Sequence, residues 1–263
     1  MEQLLAHLRA QRPLIHCISN LVTAGDCANI LLAAGASPIM AQEPAEMEEI
    51  AAASRAVVLN TGTPSDEKFA ACAAAGTTAN RLHRPVVLDP VGAGASAWRR
   101  EKLSALLREV QPTLIRANSS EVAALLTQQG GEHGVDSPAS LPLEERGELA
   151  ASLARRMGCV VLLSGETDLV TDGNRITAIR GGSACMERIT GAGCMLSCLL
   201  GAFAALAPDP FAGAVAAAAF WKSCAAGAQA DSRGPGSFRA ALFDQAALLN
   251  ACHPEVMVSS LGR

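Results

Sequence analysis

Short, largely apolar runs alternate along this chain with longer stretches in which apolar residues recur every three or four positions. The first kind predicts buried strands at Leu14–Cys17, Pro38–Ala41, Ala56–Asn60, Val86–Asp89, Thr113–Arg116 and Cys159–Ser164. Each ends in polar residues or glycine, as suits a parallel sheet covered on both faces. The second kind predicts helices at Ala24–Ala34, Pro44–Ala53, Ser65–Arg81, Ala97–Val110, Ser119–Leu126 and Leu143–Met157. Repeated strand–helix order predicts an open α/β sheet with right-handed crossovers.

The pattern then changes. Leu169–Asp172 and Arg175–Arg180 flank Gly173-Asn174, which reads as a hairpin. Thr190–Leu206, Phe211–Ala230 and Ser237–Asn250 read as three consecutive helices. The stretch Gln128–Leu141 lacks periodicity and is expected to be an active-site flap or a surface insertion. The apolar zone Leu199–Phe220 is broken by Pro208-Asp209-Pro210, so two core helices are expected there rather than a membrane span. No linker, repeat or low-complexity block divides the chain, and residues 1–263 are read as one domain.

Composition narrows the function classes. Half of the 263 residues are apolar, aromatics are 3%, tyrosine is absent and the net charge is −4. A nucleic-acid binder needs a basic face with stacking aromatics, so that class is not expected. Met1–Arg9 shows no basic segment followed by an apolar one, so no secretory leader is expected there. The nine cysteines lie scattered, without a Cys-x-x-Cys pair. A zinc ribbon or thioredoxin-type motif is therefore not expected, and a reduced, cytoplasmic protein is.

The candidate chemistry collects at strand ends, where ligands bind in open α/β sheets. The segment Ile189-Thr190-Gly191-Ala192-Gly193-Cys194-Met195-Leu196-Ser197 is a glycine-punctuated turn entering a helix. Backbone N–H groups at such a turn lack helical partners and can hold an anion. Asp89 ends the fourth strand, and Glu121 sits one turn into a helix. Two such carboxylates fit the sparse protein supply that Mg²⁺ takes beside substrate phosphates. Glu121 also reads as the capping-box partner of Asn118. Arg116 follows an apolar strand and needs an anionic partner, either a phosphate or a structural carboxylate. Ser164 and Thr167 could bind nucleotide oxygens or satisfy a turn. Met40 could pack on a flat substrate or fill core. His16 reads as a hydrogen-bonded structural histidine. Gly234-Pro235-Gly236-Ser237-Phe238 reads as a nucleotide-side loop or a rigid turn.

Taken in order, these segments resemble the hydroxyethylthiazole kinases of thiamin salvage, members of the ribokinase-like superfamily. The matching stretches are Ile15-His16-Cys17-Ile18-Ser19-Asn20, Gly35-Ala36-Ser37-Pro38-Ile39-Met40, Leu88-Asp89-Pro90-Val91-Gly92-Ala93-Gly94, Arg116-Ala117-Asn118-Ser119-Ser120-Glu121, Gly191-Ala192-Gly193-Cys194 and Gly234-Pro235-Gly236-Ser237-Phe238. They extend over almost the whole chain. The resemblance implies a three-layer α/β fold with a mostly parallel central sheet flanked by helices. It implies transfer of the ATP γ-phosphoryl group to the hydroxyl of 4-methyl-5-(2-hydroxyethyl)thiazole, with Mg²⁺. It puts Met40, Gly191 and Asn20 at the thiazole, Arg116, Ser164 and Asp168 at ATP, and Asp89 and Glu121 near the metal. Cys194, with Gly191 and Gly193, falls at the reacting end, where sugar kinases of the superfamily carry aspartate. A homotrimer is also implied.

Two departures stand out. The family turn reads Gly-Thr-Gly-Cys, and Ala192 here removes one hydroxyl. Ala24-Gly25-Asp26-Cys27-Ala28-Asn29 is more polar than the family's version. Two other classes stay open at this point. One is a nucleotide-dependent hydrate dehydratase of the same superfamily, which would carry aspartate in place of Cys194. The other is a non-catalytic nucleotide or thiazole binder.

Overall fold

The computed structural model describes residues 1–127 and 141–261. The aperiodic stretch expected to be a flap or an insertion lies outside them, except for Leu141. The strands are β1 (Leu14–Ile18), β2 (Ser37–Ile39), β3 (Ala56–Asn60), β4 (Val86–Asp89), β5 (Leu114–Ala117), β6 (Val160–Leu163), β7 (Asp168–Thr171), β8 (Ile176–Arg180) and β9 (Met257–Leu261). They form one sheet in the order β2-β1-β3-β4-β5-β6-β7-β8-β9. The first six run parallel, and β7, β8 and β9 pair antiparallel.

The helices are α1 (Glu2–Gln11), α2 (Ala24–Ala34), α3 (Met47–Ala53), α4 (Asp66–Arg81), α5 (Ala97–Glu109), α6 (Ser119–Thr127), α7 (Leu143–Met157), α8 (Ala192–Ala204), α9 (Pro210–Ala230) and α10 (Pro235–Leu248). Alternate strand residues point to opposite faces, which makes two cores. Ile15, Ala56, Val58, Val160 and Leu162 join α1, α2, α8, α9 and α10. Ile18, Val57, Leu59, Val161 and Leu163 join α3 to α7. Both faces are covered, so the inner strands are largely apolar, and polar residues such as Asn60, Asp89 and Arg116 stand at or near their carboxyl ends. Small residues set the closeness of the layers. A side chain at Gly201 of α8 would meet Val58 and Ile15 of the sheet.

The sequence pattern missed two elements and displaced others. α1 and β9 were not expected. β9 is an edge strand whose residues are exposed or half-buried, so it lacks a clean alternation. The predicted helix Pro44–Ala53 is a 3₁₀ turn, Pro44–Glu46, followed by α3. The last helix starts at Pro235, because proline suits a first helical position. Helix α9 is long and apolar enough to cross a membrane, yet most of it is buried inside the fold.

The chain lays β2 on one side of β1 and then crosses to lay β3 on the other. This reversal opens a crevice between the carboxyl ends of β1 and β3, the usual ligand position in such sheets.

Candidate active site

Strand order turns the candidate residues into a row. Met40 follows β2, Asn20 follows β1, Asn60 ends β3, Asp89 ends β4, Arg116 lies near the end of β5 and Ser164 follows β6. Neighbouring strands are about 4.8 Å apart, so Met40 and Arg116 stand about 19 Å apart across the sheet edge. The acceptor and nucleotide candidates therefore fall on opposite sides of the β3–β4 ends.

Helix α8 aims its N-terminus at the middle of that row. Gly191 caps it at φ 86°, a left-handed conformation that favours glycine. A side chain there would also collide with Thr23. The cap supplies no side-chain acceptor, so the first-turn amides keep their donors for an anion. Arg116 packs its guanidinium against Gly193. It donates to Ser164 Oγ at 2.6 Å and stands 3.5 Å from Asp89 Oδ1. Its Nε is buried without a hydrogen bond, and Asp89 Oδ1 has the Arg116 ion pair but accepts no hydrogen bond.

Cys194 sits between two amides. Asn20 Nδ2 and Asn60 Nδ2 each donate to its Sγ at 3.3 Å. Asn60 also donates to Asp89 Oδ2 at 2.8 Å, and Ser197 Oγ donates to the same oxygen at 2.8 Å. Burial, with the Asp89 charge nearby, raises the Cys194 pKa, so the group is a thiol at neutral pH.

Asn118 and Glu121 form the expected capping box. Asn118 N donates to Glu121 Oε2, and Glu121 N donates to Asn118 Oδ1, both at 2.9 Å. Glu121 Oε1 accepts from Gly92 N at 3.0 Å. Burial and the neighbouring Asp89 raise its pKa. Two buried carboxylates that repel each other, one with an oxygen that accepts no hydrogen bond, suit a divalent cation with few protein ligands. Among the described residues no three His, Cys, Asp or Glu side chains cluster as a full metal cage.

Beyond Arg116 a cleft of about 780 Å³ opens, lined by Ser164, residues 165–168, residues 181–184, Gly193 and Lys222. Asp168 is buried at its edge and accepts from Gly165 N at 2.9 Å. Burial raises its pKa, against the pull of Lys222 at 3.7 Å. His16 is structural, as expected: its Nε2 bonds Ala41 O at 2.9 Å. Met40 is half-buried at the β2 end, packed against the core of that face. The motif at Gly234 caps α10, with Ser237 Oγ accepting from Gly234 N.

Residues 5–251 match the hydroxyethylthiazole kinase family. The chain belongs to that family. A hydroxyethylthiazole kinase of Herpetosiphon aurantiacus is 47% identical over 238 residues, 90% of this chain and 87% of that one. The solved hydroxyethylthiazole kinase of Pyrococcus horikoshii is 34% identical, with a TM-score of 0.91 over 99% of this chain and 98% of that one. A Staphylococcus aureus pyridoxal kinase in complex with ADP is 15% identical, with a TM-score of 0.65 over 94% of this chain and 98% of that one. At that identity the likeness is one of fold, and the fold is ribokinase-like.

Four polar residues of this family member were not singled out from sequence. Asn60 was visible as a polar strand end. Ser197 follows Cys194 by three positions and so shares its helix face. Lys68 and Lys222 are charges beside long apolar helical runs, a pattern that signals a buried, partnered cation.

Proposed function

We propose that this chain transfers the γ-phosphoryl group of ATP to the primary hydroxyl of 4-methyl-5-(2-hydroxyethyl)thiazole. The product is the thiazole phosphate used in thiamin biosynthesis and salvage. One observation carries the reading: the first-turn amides of α8, the Arg116 guanidinium and the Asp89 carboxylate, one oxygen of which accepts no hydrogen bond, meet beside Cys194. Donors of that kind suit a transferring phosphoryl group, whose charge spreads over its oxygens.

In this reading ATP occupies the cleft beyond Arg116. Arg116 and Ser164 hold its phosphates, and Asp168 fixes the Gly165 amide that borders them. The thiazole lies toward Met40 and Asn20, with Gly191 beneath it and its hydroxyl at Cys194. Asp89 and Glu121 would hold Mg²⁺, which supplies charge neutralisation of the phosphates when bound. Arg116 orients the γ-phosphoryl group, and the amides of Gly193 and Cys194 receive its charge. A loose transition state needs little base assistance, so a protonated Cys194 serves chiefly to place the hydroxyl.

We read the assembly as a homotrimer in which Leu21 and Val22 are covered. They are 80% and 65% exposed in the single chain and adjoin Asn20. The nine cysteines are all free, in keeping with a reducing, cytoplasmic setting.

The deciding assay is ADP release with Mg²⁺, with and without the thiazole alcohol. Release that depends on the alcohol is expected. Folded protein that forms no ADP would sink the reading.

A further inference from the structure

Lys68 of α4 and Lys222 of α9 lie on opposite faces of the sheet, and each is almost fully buried, at 3% and 7% exposure. A buried ammonium must spend its donors on partners. Lys68 Nζ donates to Ser19 O and Gly62 O, both at 2.6 Å. Lys222 Nζ donates to Gly165 O at 2.9 Å and Glu166 O at 2.7 Å. All four acceptors are backbone carbonyls just beyond strand ends. Among the described residues no carboxylate lies within ion-pair distance of Lys68, so neutralising a neighbouring charge does not account for it.

The two contacts share a design. Gly62 N donates to Asn60 Oδ1 at 2.9 Å while Gly62 O takes Lys68. Gly165 N donates to Asp168 Oδ1 at 2.9 Å while Gly165 O takes Lys222. In each case a glycine after a strand has both backbone groups fixed, one by a lysine and one by a site side chain. Lys68 also joins the β1 end to the β3 end. Those ends carry Asn20 and Asn60, the two amides that reach Cys194. Lys222 fixes the turn beside Ser164, the partner of Arg116.

We propose that Lys68 and Lys222 are positioning residues that divide the cleft, Lys68 setting the acceptor half and Lys222 the nucleotide half. This rests on the kinase reading above. Lys68 acts through the loops after β1 and β3; Lys222 lines the nucleotide cleft and acts through the turn after β6.

The test is steady-state kinetics of Lys68→Met and Lys222→Met with each substrate varied in turn. Methionine keeps the apolar stem and removes the donors. Hydrogen bonds from a charged group support changes of roughly 10- to 100-fold. Lys68→Met should lower kcat/KM for the thiazole alcohol on that scale and leave KM for ATP within about twofold. Lys222→Met should raise KM for ATP on that scale and leave KM for the thiazole within about twofold. Unchanged kinetics, or both KM values moving together in either variant, would overturn the proposal. Wild-type turnover is measured first. Its absence strikes the kinase reading alone, and the same split is then read by calorimetry with the thiazole alcohol and ADP. If Lys68→Met does not fold, Lys68→Ala refolded with propylammonium replaces it. Activity should rise with the amine and not with propan-1-ol, and a lack of that difference counts against the proposal.

Discussion

The guanidinium of Arg116 packs on the α-carbon of Gly193 so closely that a methyl group there would run into it. Gly193→Ala should therefore push Arg116 off Ser164 and Asp89 without touching the core. Misplacement by about 1 Å can cost on the order of 100-fold in rate. A loss of that order in kcat/KM is expected, with a thermal midpoint close to wild type. Kinetics beside a melting curve checks both.

Cys194 is a thiol at neutral pH, because burial and then Asp89 raise its pKa. A thiol in that state gives little base catalysis, whose full worth is about 10²–10⁴-fold. Single-turnover rates should show Cys194→Ala retaining measurable activity. Cys194→Asp should match or exceed wild type, since Asn20 and Asn60 already offer two donors to an acceptor at that position. Complete loss in both variants would give the thiol an essential role of another kind.

Asn60 links Asp89 to Cys194 through one amide nitrogen. Asn60→Ala should lower kcat by roughly 10- to 100-fold through loss of both donations. Asn60→Asp should be worse, because it replaces those donations with a like charge beside Asp89. The order of the two kcat values is the measurement.

Burial lowers the His16 pKa below 6.5, against smaller raising effects from Ala41 O and Glu46. The unfolded chain then takes up this proton before the folded one. Stability is retained above pH 6.5 and is lost as pH falls from there through the folded value. Melting curves from pH 7.5 to 5 should slope less in His16→Gln, which keeps a donor for Ala41 O but does not titrate.

Leu21 and Val22 are exposed apolar residues beside a site residue. If the protein is the proposed homotrimer, changing both to Asp should yield monomer by light scattering and raise KM for the thiazole more than KM for ATP. Wild-type protein that is monomeric would overturn the trimer reading, and a variant that keeps the wild-type assembly would put the interface elsewhere.

Much of the candidate site's arrangement was legible because its signals are local. Asp89, Arg116 and Ser164 stand at the ends of apolar runs, and the strand-to-polar switch marks such ends whatever the sheet order. The Asn118–Glu121 capping box and the Gly191 turn depend on neighbours a few residues away. Lys68 and Lys222 were not singled out, because their meaning depends on carbonyls 49 and 57 residues away in sequence. The edge strand β9 escaped for a related reason: half-exposed residues carry no hydrophobic alternation, and only pairing with β8 makes them a strand.

The sequence by itself determined the layered α/β class, the helix that begins at the glycine turn, and the family, since these follow from short-range periodicity and ordered motifs. Tertiary structure alone decided that β3 lies beside β1. Parallel pairing across that crossover brings the Asn20 and Asn60 amides onto one sulfur atom, although their positions are 40 residues apart. Sequence separation says nothing about which strand ends become neighbours; burying both faces of the sheet does.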